Sequence, residues 1–329
     1  MSADDSQPRI SHLSPGGVWV LTDGKIGDDI QCLAIATSLD PKFEKRVVAP
    51  RGPWALLAPW GPVDPREAPG RAGGPLSGEL PSVVIASGRR AIPHARVLKK
   101  ASDGKVKIII LKDPRFARDF ADMIWAPAHD QLSGANVFST LTSPHGLAVK
   151  LTDAAANPKP AISSLPKPML GVVLGGQSNG ARYSADDAQA LAAQLNYAAR
   201  DYASLAITPS RRTPAEFLTA LKAGLRHEHL FIWNGAEENP YVDILANAAA
   251  LVVAADSHNM MSEALCTNVG VYDWRPLGLD GKLCWFADEM EASVQMKRFE
   301  MQAPTFARTP LDATPQIVTE IRKRLNLSD

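Results

Sequence analysis

Asp256, Ser257 and His258 stand side by side in "VVAADSHNMMSEA", Val252 to Ala264, and carry the three side-chain types of a hydrolytic triad. A triad normally assembles from distant loops, and side chains adjacent in sequence point in different directions. A hydrolase nucleophile on an α/β sheet also brings a G-x-S-x-G elbow, whereas Ser257 lies between Asp256 and His258. Hydrolysis through Ser257 is therefore the lesser reading. The helix pattern that follows offers better chemistry. Ser257 can cap its N-terminus, with Ser262 and Glu263 a turn further in. A carboxylate accepts two hydrogen bonds at once, so Glu263 can hold two vicinal hydroxyls, as on a ribose. The plainer role for Glu263 is favourable placement in the dipole of its helix.

Other chemistry-bearing residues recur at the ends of apolar runs. Gly175 and Gly176 open "GGQSNG", where glycines would let a backbone approach a phosphate and Gln177, Ser178 and Asn179 add donors. A tight strand-to-helix turn without a ligand explains the same glycines. In "TPSRRTP", Arg211 and Arg212 can pair with a carboxylate or diphosphate, or simply form a solvated turn. "WNGAEENPY" reads as an Asn239 cap followed by Pro240 at the first helical position. "LTDGKIGDD" is neither Walker A nor G-x-G-x-x-G, yet it can bring backbone N–H groups and Lys25 to a phosphate. Asp23 and Asp28 in that loop could act as bases or bind hydroxyls. Arg89 and Arg90 end another run, and His129 and Asp130 a further one, with capping and function equally open for His129.

The elements that must position these groups alternate strand and helix. Short apolar runs at Val18–Leu21, Val83–Ala86, Val106–Leu111 and Met123–Trp125 mark the first half. Leu170–Leu174, Ser204–Thr208, Leu230–Trp233, Leu251–Ala254 and Val269–Tyr272 mark the second. Continuous apolarity predicts parallel strands covered on both faces. A helix is predicted over 30–39. The Ala/Pro/Ser-rich stretch 151–168 reads as a linker, and the tail "TPQIVTEIRKRLNL" has helical spacing suited to packing back. The Pro/Gly-dense segment Ala49–Pro81 argues against regular core structure, and its "WALLAPW", Trp54 to Trp60, could touch a membrane interface or cap the first domain. The 329 residues are 45% hydrophobic, which allows about two domains. Lys+Arg and Asp+Glu each total 35, so no global basic field draws nucleic acid. Three widely spaced cysteines without CxxC, and a polar, acidic N-terminus unlike a signal peptide, predict a cytoplasmic protein. No apolar run is long enough to span a bilayer.

In order along the chain, "TDGKIGDDIQCLAIA", "ASGRRAIP", "KDPR", "PAHD", "LGG", "SRRTP", "ENPY" and "ADSHNMMSEA" resemble the mitochondrial-fission family first described from plants with elongated mitochondria. The resemblance runs from about Val18 to Phe299. It implies recruitment of a dynamin-related protein in plants, a role with no counterpart in a bacterial chain, and the Ala/Arg/Pro-rich style here looks bacterial. "LGGQSNGA" and "ADSHNMMSEA" are also similar to the second domain of GT-B glycosyltransferases, above all the one that adds N-acetylglucosamine to the undecaprenyl-linked peptidoglycan precursor. That likeness implies a Gly-Gly loop against a donor diphosphate and Glu263 on the ribose hydroxyls. It also implies no resident metal. The transferases carry a histidine where this chain has Asp28.

Together these readings predict two doubly wound, Rossmann-like α/β domains, 1–160 and 161–329, facing a cleft in GT-B style. The expected activity is glycosyl transfer from a nucleotide-diphosphate sugar. Gly175, Gly176, Ser178 and Ser257 would surround the diphosphate, Arg211 and Arg212 would offset its charge, and Ser262 and Glu263 would hold the nucleoside. Asp28 is the candidate base, with Lys25 and His129 near the acceptor. No cofactor, metal or nucleic-acid partner is expected. The rival is a non-catalytic scaffold meeting a protein or the inner membrane through Trp54–Trp60.

Overall fold

The computed structural model describes residues 17–178, 180–279 and 281–327. Two compact units divide the chain: one runs to Gly146 and resumes at Ala313, the other is Leu147–Asp312.

The first unit is a six-stranded, wholly parallel sheet. Its strands are β1 (Val18–Thr22), β2 (Glu44–Val47), β3 (Val83–Ser87), β4 (Lys107–Leu111), β5 (Met123–Pro127) and β6 (Val137–Thr140), in the order β2-β1-β3-β4-β5-β6. Its helices include α1 (Ile26–Leu39), α2 (Pro53–Leu57) and α3 (Ala91–Ala101). β1 shows why the apolar runs are continuous. Val18 and Val20 enter the core on one face, Trp19 and Leu21 the core on the other. The C-terminal helix Ala313–Leu325 buries Ile317, Val318, Ile321 and Leu325 in the first of these cores, so the tail completes this unit. The predicted start of α1 moves: the helix opens at Ile26, which takes Asp28 out of the loop and into the first turn. The Pro/Gly-dense segment is largely irregular, apart from α2 and a turn of 3-10 helix at Pro65–Glu67.

The second unit repeats the scheme. Helices α4 (Ala148–Ala156) and α5 (Pro160–Ser163) precede strand β7 (Met169–Leu174). Then come α6 (Ala185–Ala198), β8 (Ser204–Pro209), α7 (Ala215–Gly224), β9 (Leu230–Ile232), α8 (Tyr241–Asn247), β10 (Ala250–Ala254), α9 (His258–Leu265), β11 (Gly270–Trp274), α10 (Gly281–Ala292) and β12 (Lys297–Arg298). The parallel order is β12-β11-β10-β7-β8-β9. The stretch read as a linker is thus mostly helix. Its alanines are good helix formers, and α4 docks on α8, where Asn247 donates to the Ala154 carbonyl at 3.0 Å. This places the division between units upstream of the expected 160. The strands that the apolar runs did not reveal, β2, β6 and β12, are sheet edges or next to solvent. β2 reads EKRV and β12 is Lys-Arg, the charged style that discourages edge-to-edge pairing.

Each sheet has one point where the chain order reverses, between β1 and β3 in the first unit and between β7 and β10 in the second. Loops leaving neighbouring strands there part to opposite faces and open a crevice at the carboxyl ends.

Candidate functional site

In the second unit, the loops after β7, β8 and β10 are tied together by one carboxylate. Asp256 accepts the Gly176 N–H at 2.9 Å and the Tyr183 hydroxyl at 2.8 Å, and the Arg212 guanidinium stands 3.7 Å away. Its side chain is 0% exposed. Burial raises the Asp256 carboxyl above its ordinary range, while the Gly176 N–H, Tyr183 and Arg212 pull the other way. Tyr183 is fixed in turn by edge contacts with Phe217 and Trp274, at ring centroid distances of 4.9 and 5.5 Å.

The two glycines have a local reason. A Cβ at Gly175 would lie 1.9 Å from Asp256 Oδ1, and one at Gly176 would lie 2.2 Å from the backbone carbonyl carbon of Arg212. The Gly175 carbonyl accepts from Ser210 Oγ at 2.8 Å and from the Thr213 hydroxyl, and Gln177 N–H donates to the Arg212 carbonyl at 3.2 Å. No helix follows the glycines directly. α6 begins at Ala185 and closes its own end with a Ser184/Asp187 capping box, which serves the Ser184 and Asp187 N–H groups. Ser178, Arg211 and Arg212 are exposed beside this loop, and Ser178 Oγ accepts from Gly180 N–H at 3.2 Å. Asn179 lies outside the described residues.

The opening row of triad residues disperses. Asp256 serves the glycine loop, Ser257 caps α9 by accepting from Met260 N–H at 3.4 Å, and the His258 ring packs edge-on against Phe286 at 4.3 Å. Ser262 is fully buried on α9. Glu263 is 8% exposed and accepts a short hydrogen bond from the Tyr241 hydroxyl. Burial raises its carboxyl, against Tyr241 and Lys150. A carboxylate has about four lone-pair sites, so one phenol leaves it acceptor capacity. In the sequence Tyr241 only closes the "ENPY" motif of the resemblance and has no assigned role. The expected Asn239 cap also differs: Pro240 occupies the N-cap position, and Asn239 accepts from Tyr241 N–H and the Thr208 hydroxyl.

A third carboxylate is buried on β11. The Asp273 side chain is 0% exposed and accepts from Arg275 at 2.6 Å, yet burial outweighs that pairing and pushes its carboxyl up to about 7. A carboxyl whose folded value exceeds its unfolded value costs stability as it is forced to ionise. The protein is expected to lose stability as pH rises from 3.8, the ordinary Asp value, through about 7. Asp273→Asn should flatten that slope in melts taken across the window, and an unchanged slope would refute the assignment.

In the first unit, Lys25 and Asp28 meet at a cavity of about 400 Å³ that also has Arg89, Lys112 and Arg115 on its wall. Asp28 accepts from Lys112 Nζ at 2.7 Å and Ser87 Oγ at 3.0 Å, and Lys25 pairs with Asp23 at 3.2 Å. Gly88 has φ +91°, and a Cβ there would stand 3.1 Å from Asp23 Oδ1. His129 sits half-buried on the 3-10 turn Ala128–Asp130 after β5 and does not line this cavity. Lys112 and Arg115 belong to the "KDPR" motif of the family resemblance, which assigns them no role; the strand order that ends β4 beside β3 puts them on this wall.

Two doubly wound parallel sheets of this kind put the protein in the GT-B fold class. S. aureus MnaA, in a co-structure with UDP, matches 95% of this chain and 98% of its own at TM-score 0.53 and 12% identity. The Neisseria meningitidis UDP-GlcNAc 2-epimerase bound to UDP-GlcNAc matches 95% of each chain at TM-score 0.51 and 10% identity. At such identities the likeness is one of fold. Within that class, the chain belongs to the mitochondrial fission ELM1 family, whose sequence profile matches residues 27–325. The mitochondrial fission protein ELM1 of Arabidopsis thaliana is 28% identical over 277 residues, covering 74% of this chain and 64% of the plant protein. The chain thus spans just under two thirds of that relative's length. Among the described residues, no helix is long and apolar enough to cross a membrane.

Proposed function

We infer that the second unit binds a nucleotide-diphosphate sugar and that the protein is a glycosyltransferase. The observation that carries this is the coupling, through Asp256, of the Gly175-Gly176 loop, the Arg211-Arg212 loop and the start of α9 at the switch point of the sheet. The Gly-Gly backbone and exposed Ser178 face the diphosphate, Ser257 closes the end of α9, and Arg211 and Arg212 offset the phosphate charge. Glu263, held in place by Tyr241, takes the ribose hydroxyls. Fixed donors stabilise the charge that grows on the leaving diphosphate. The first unit provides the acceptor side. Asp28 takes the proton from the acceptor hydroxyl as its oxygen bonds to the sugar and the sugar–phosphate bond breaks; Lys25, on the same cavity wall, orients the acceptor, and His129, off that wall, drops out of the reading. Proteins of this fold in complex with UDP and UDP-GlcNAc support the choice of nucleotide sugar.

A thermal-shift series with UDP, GDP, ADP and their sugars tests the reading. One nucleotide should raise the melting temperature, and Glu263→Ala should weaken its binding at least about tenfold, the worth of one charge-assisted hydrogen bond or more. No stabilisation by any of them overturns the reading in favour of a non-catalytic scaffold.

A further inference from the structure

The cavity of the first unit has a charge surplus that the fold does not use. Asp28 is matched by Lys112 at 2.7 Å, Lys25 by Asp23 at 3.2 Å, and Asp113 by Arg118 at 2.8 Å. Arg89 and Arg115 line the same cavity, are exposed, and form no close salt bridge among the described residues, although Arg115 acts on Asp113 at longer range. Lys112 and Arg115 hold left-handed backbone, φ +73° and +62°, in the turn after β4. Non-glycine residues adopt that region at a cost of about 1–3 kcal/mol each, and such strain gathers at ligand sites. The two spare guanidiniums sit at the carboxyl ends of β3 and β4, on loops from neighbouring strands.

The rim is apolar. Pro59 lines the cavity, and on its segment Leu56, Leu57 and Trp60 are 76%, 50% and 56% exposed. Phe116, next to Arg115, is 39% exposed. Arginines bind this rim to the cavity. Arg89 Nη2 donates to the Ala55 carbonyl at 3.2 Å, and Arg96 donates to the Trp60 carbonyl at 3.5 Å with its guanidinium 5.1 Å from the Phe116 ring centre. Large apolar side chains exposed together beside unpaired arginines fit a surface that is itself apolar below and anionic above. Tryptophan at such a border puts its ring at head-group depth.

We propose that this face of the first unit docks on a lipid surface, with the phosphomonoester head group of a lipid in the cavity between Arg89 and Arg115 and with Leu56, Leu57 and Trp60 in the acyl boundary. Every residue in the site belongs to the first unit, and the cavity is the one lined by Lys25 and Asp28, so the head-group phosphate lies on the proposed acceptor side and needs no bound nucleotide.

The full chain is pelleted, without nucleotide, with vesicles of phosphatidylcholine, of phosphatidylcholine plus phosphatidic acid, and of phosphatidylcholine plus phosphatidylserine at matched surface charge. Phosphatidic acid should give the tightest binding, and inorganic phosphate should compete. Arg89→Gln and Arg115→Gln should each weaken it about fivefold. Leu56→Ser with Trp60→Ser should weaken it on the order of tenfold. All four positions are exposed, so melting temperatures should stay at the wild-type value. Glu263→Ala should pellet like the wild type whether or not it binds nucleotide. Equal binding to phosphatidylserine would reduce the effect to surface charge and overturn the cavity assignment. Stabilisation by pyrophosphate without any pelleting would overturn the lipid assignment, as would arginine variants that pellet like the wild type.

Discussion

Gly176→Ala is expected to lower the stability of the second unit by more than about 3 kcal/mol, the upper end of what an overpacked site usually costs. The new Cβ would lie 2.2 Å from the Arg212 carbonyl carbon, 2.3 Å from its oxygen and 2.5 Å from Thr213 N. All three are backbone atoms, so no side-chain rotation relieves the clash. The loops after β7 and β8 must separate, and the Gln177–Arg212, Ser210–Gly175 and Thr213–Gly175 hydrogen bonds go with them. At roughly 2–4 °C per kcal/mol for a unit of this size, the melting temperature should fall by about 6–12 °C. Nucleotide stabilisation should vanish even at temperatures where the protein stays folded. A wild-type melting temperature in Gly176→Ala would show that the loops are free to slide, and the diphosphate cradle would lose its basis.

Asp256→Ala should be nearly as severe, for a different reason. It strands the Gly176 N–H and the Tyr183 hydroxyl, both in buried surroundings. A buried polar group without a partner costs about 1–3 kcal/mol, so two cost about 2–6 kcal/mol before the lost packing is counted. Tyr183→Phe alone removes one bond and keeps the other, and its cost should be smaller. The double variant should fall short of the sum by about 0.5–3 kcal/mol, because both residues act through one contact. Chemical denaturation of the two single variants and the double variant measures this. Strict additivity would mean that Asp256 and Tyr183 are not coupled, contrary to their 2.8 Å hydrogen bond.

Asp256 also shows where sequence reading stopped. In the sequence it reads as a triad member, beside the cap candidate Ser257 and the ribose candidate Glu263. Its partners are Gly176, Tyr183 and Arg212, removed from it by 80, 73 and 44 positions. No local pattern encodes such a meeting; only the β10-β7-β8 strand order makes it. Gly175 and Gly176 were legible as a close approach, but the sequence pointed to a phosphate where the structure also supplies a carboxylate and a peptide.

The chain's apolar runs determined the fold class by themselves. Nine of the twelve strands among the described residues announce themselves as short, continuous, mainly apolar runs, because a parallel strand covered on both faces is built chiefly from apolar side chains. The ends of those runs also fixed where loops, and hence candidate ligands, would lie. Among the described residues the edge strands β2, β6 and β12 escaped, two of them because an exposed side lets them carry Glu, Lys and Arg, whereas the apolar edge strand β9 was legible. Ser262 and Glu263 looked alike in sequence, and only packing buries one completely and hands the other to Tyr241. The cavity with its spare Arg89 and Arg115 is likewise a product of tertiary structure. Charge pairing depends on distances of a few ångströms between loops far apart in the chain, and composition, balanced at 35 of each sign, conceals which arginines are left over.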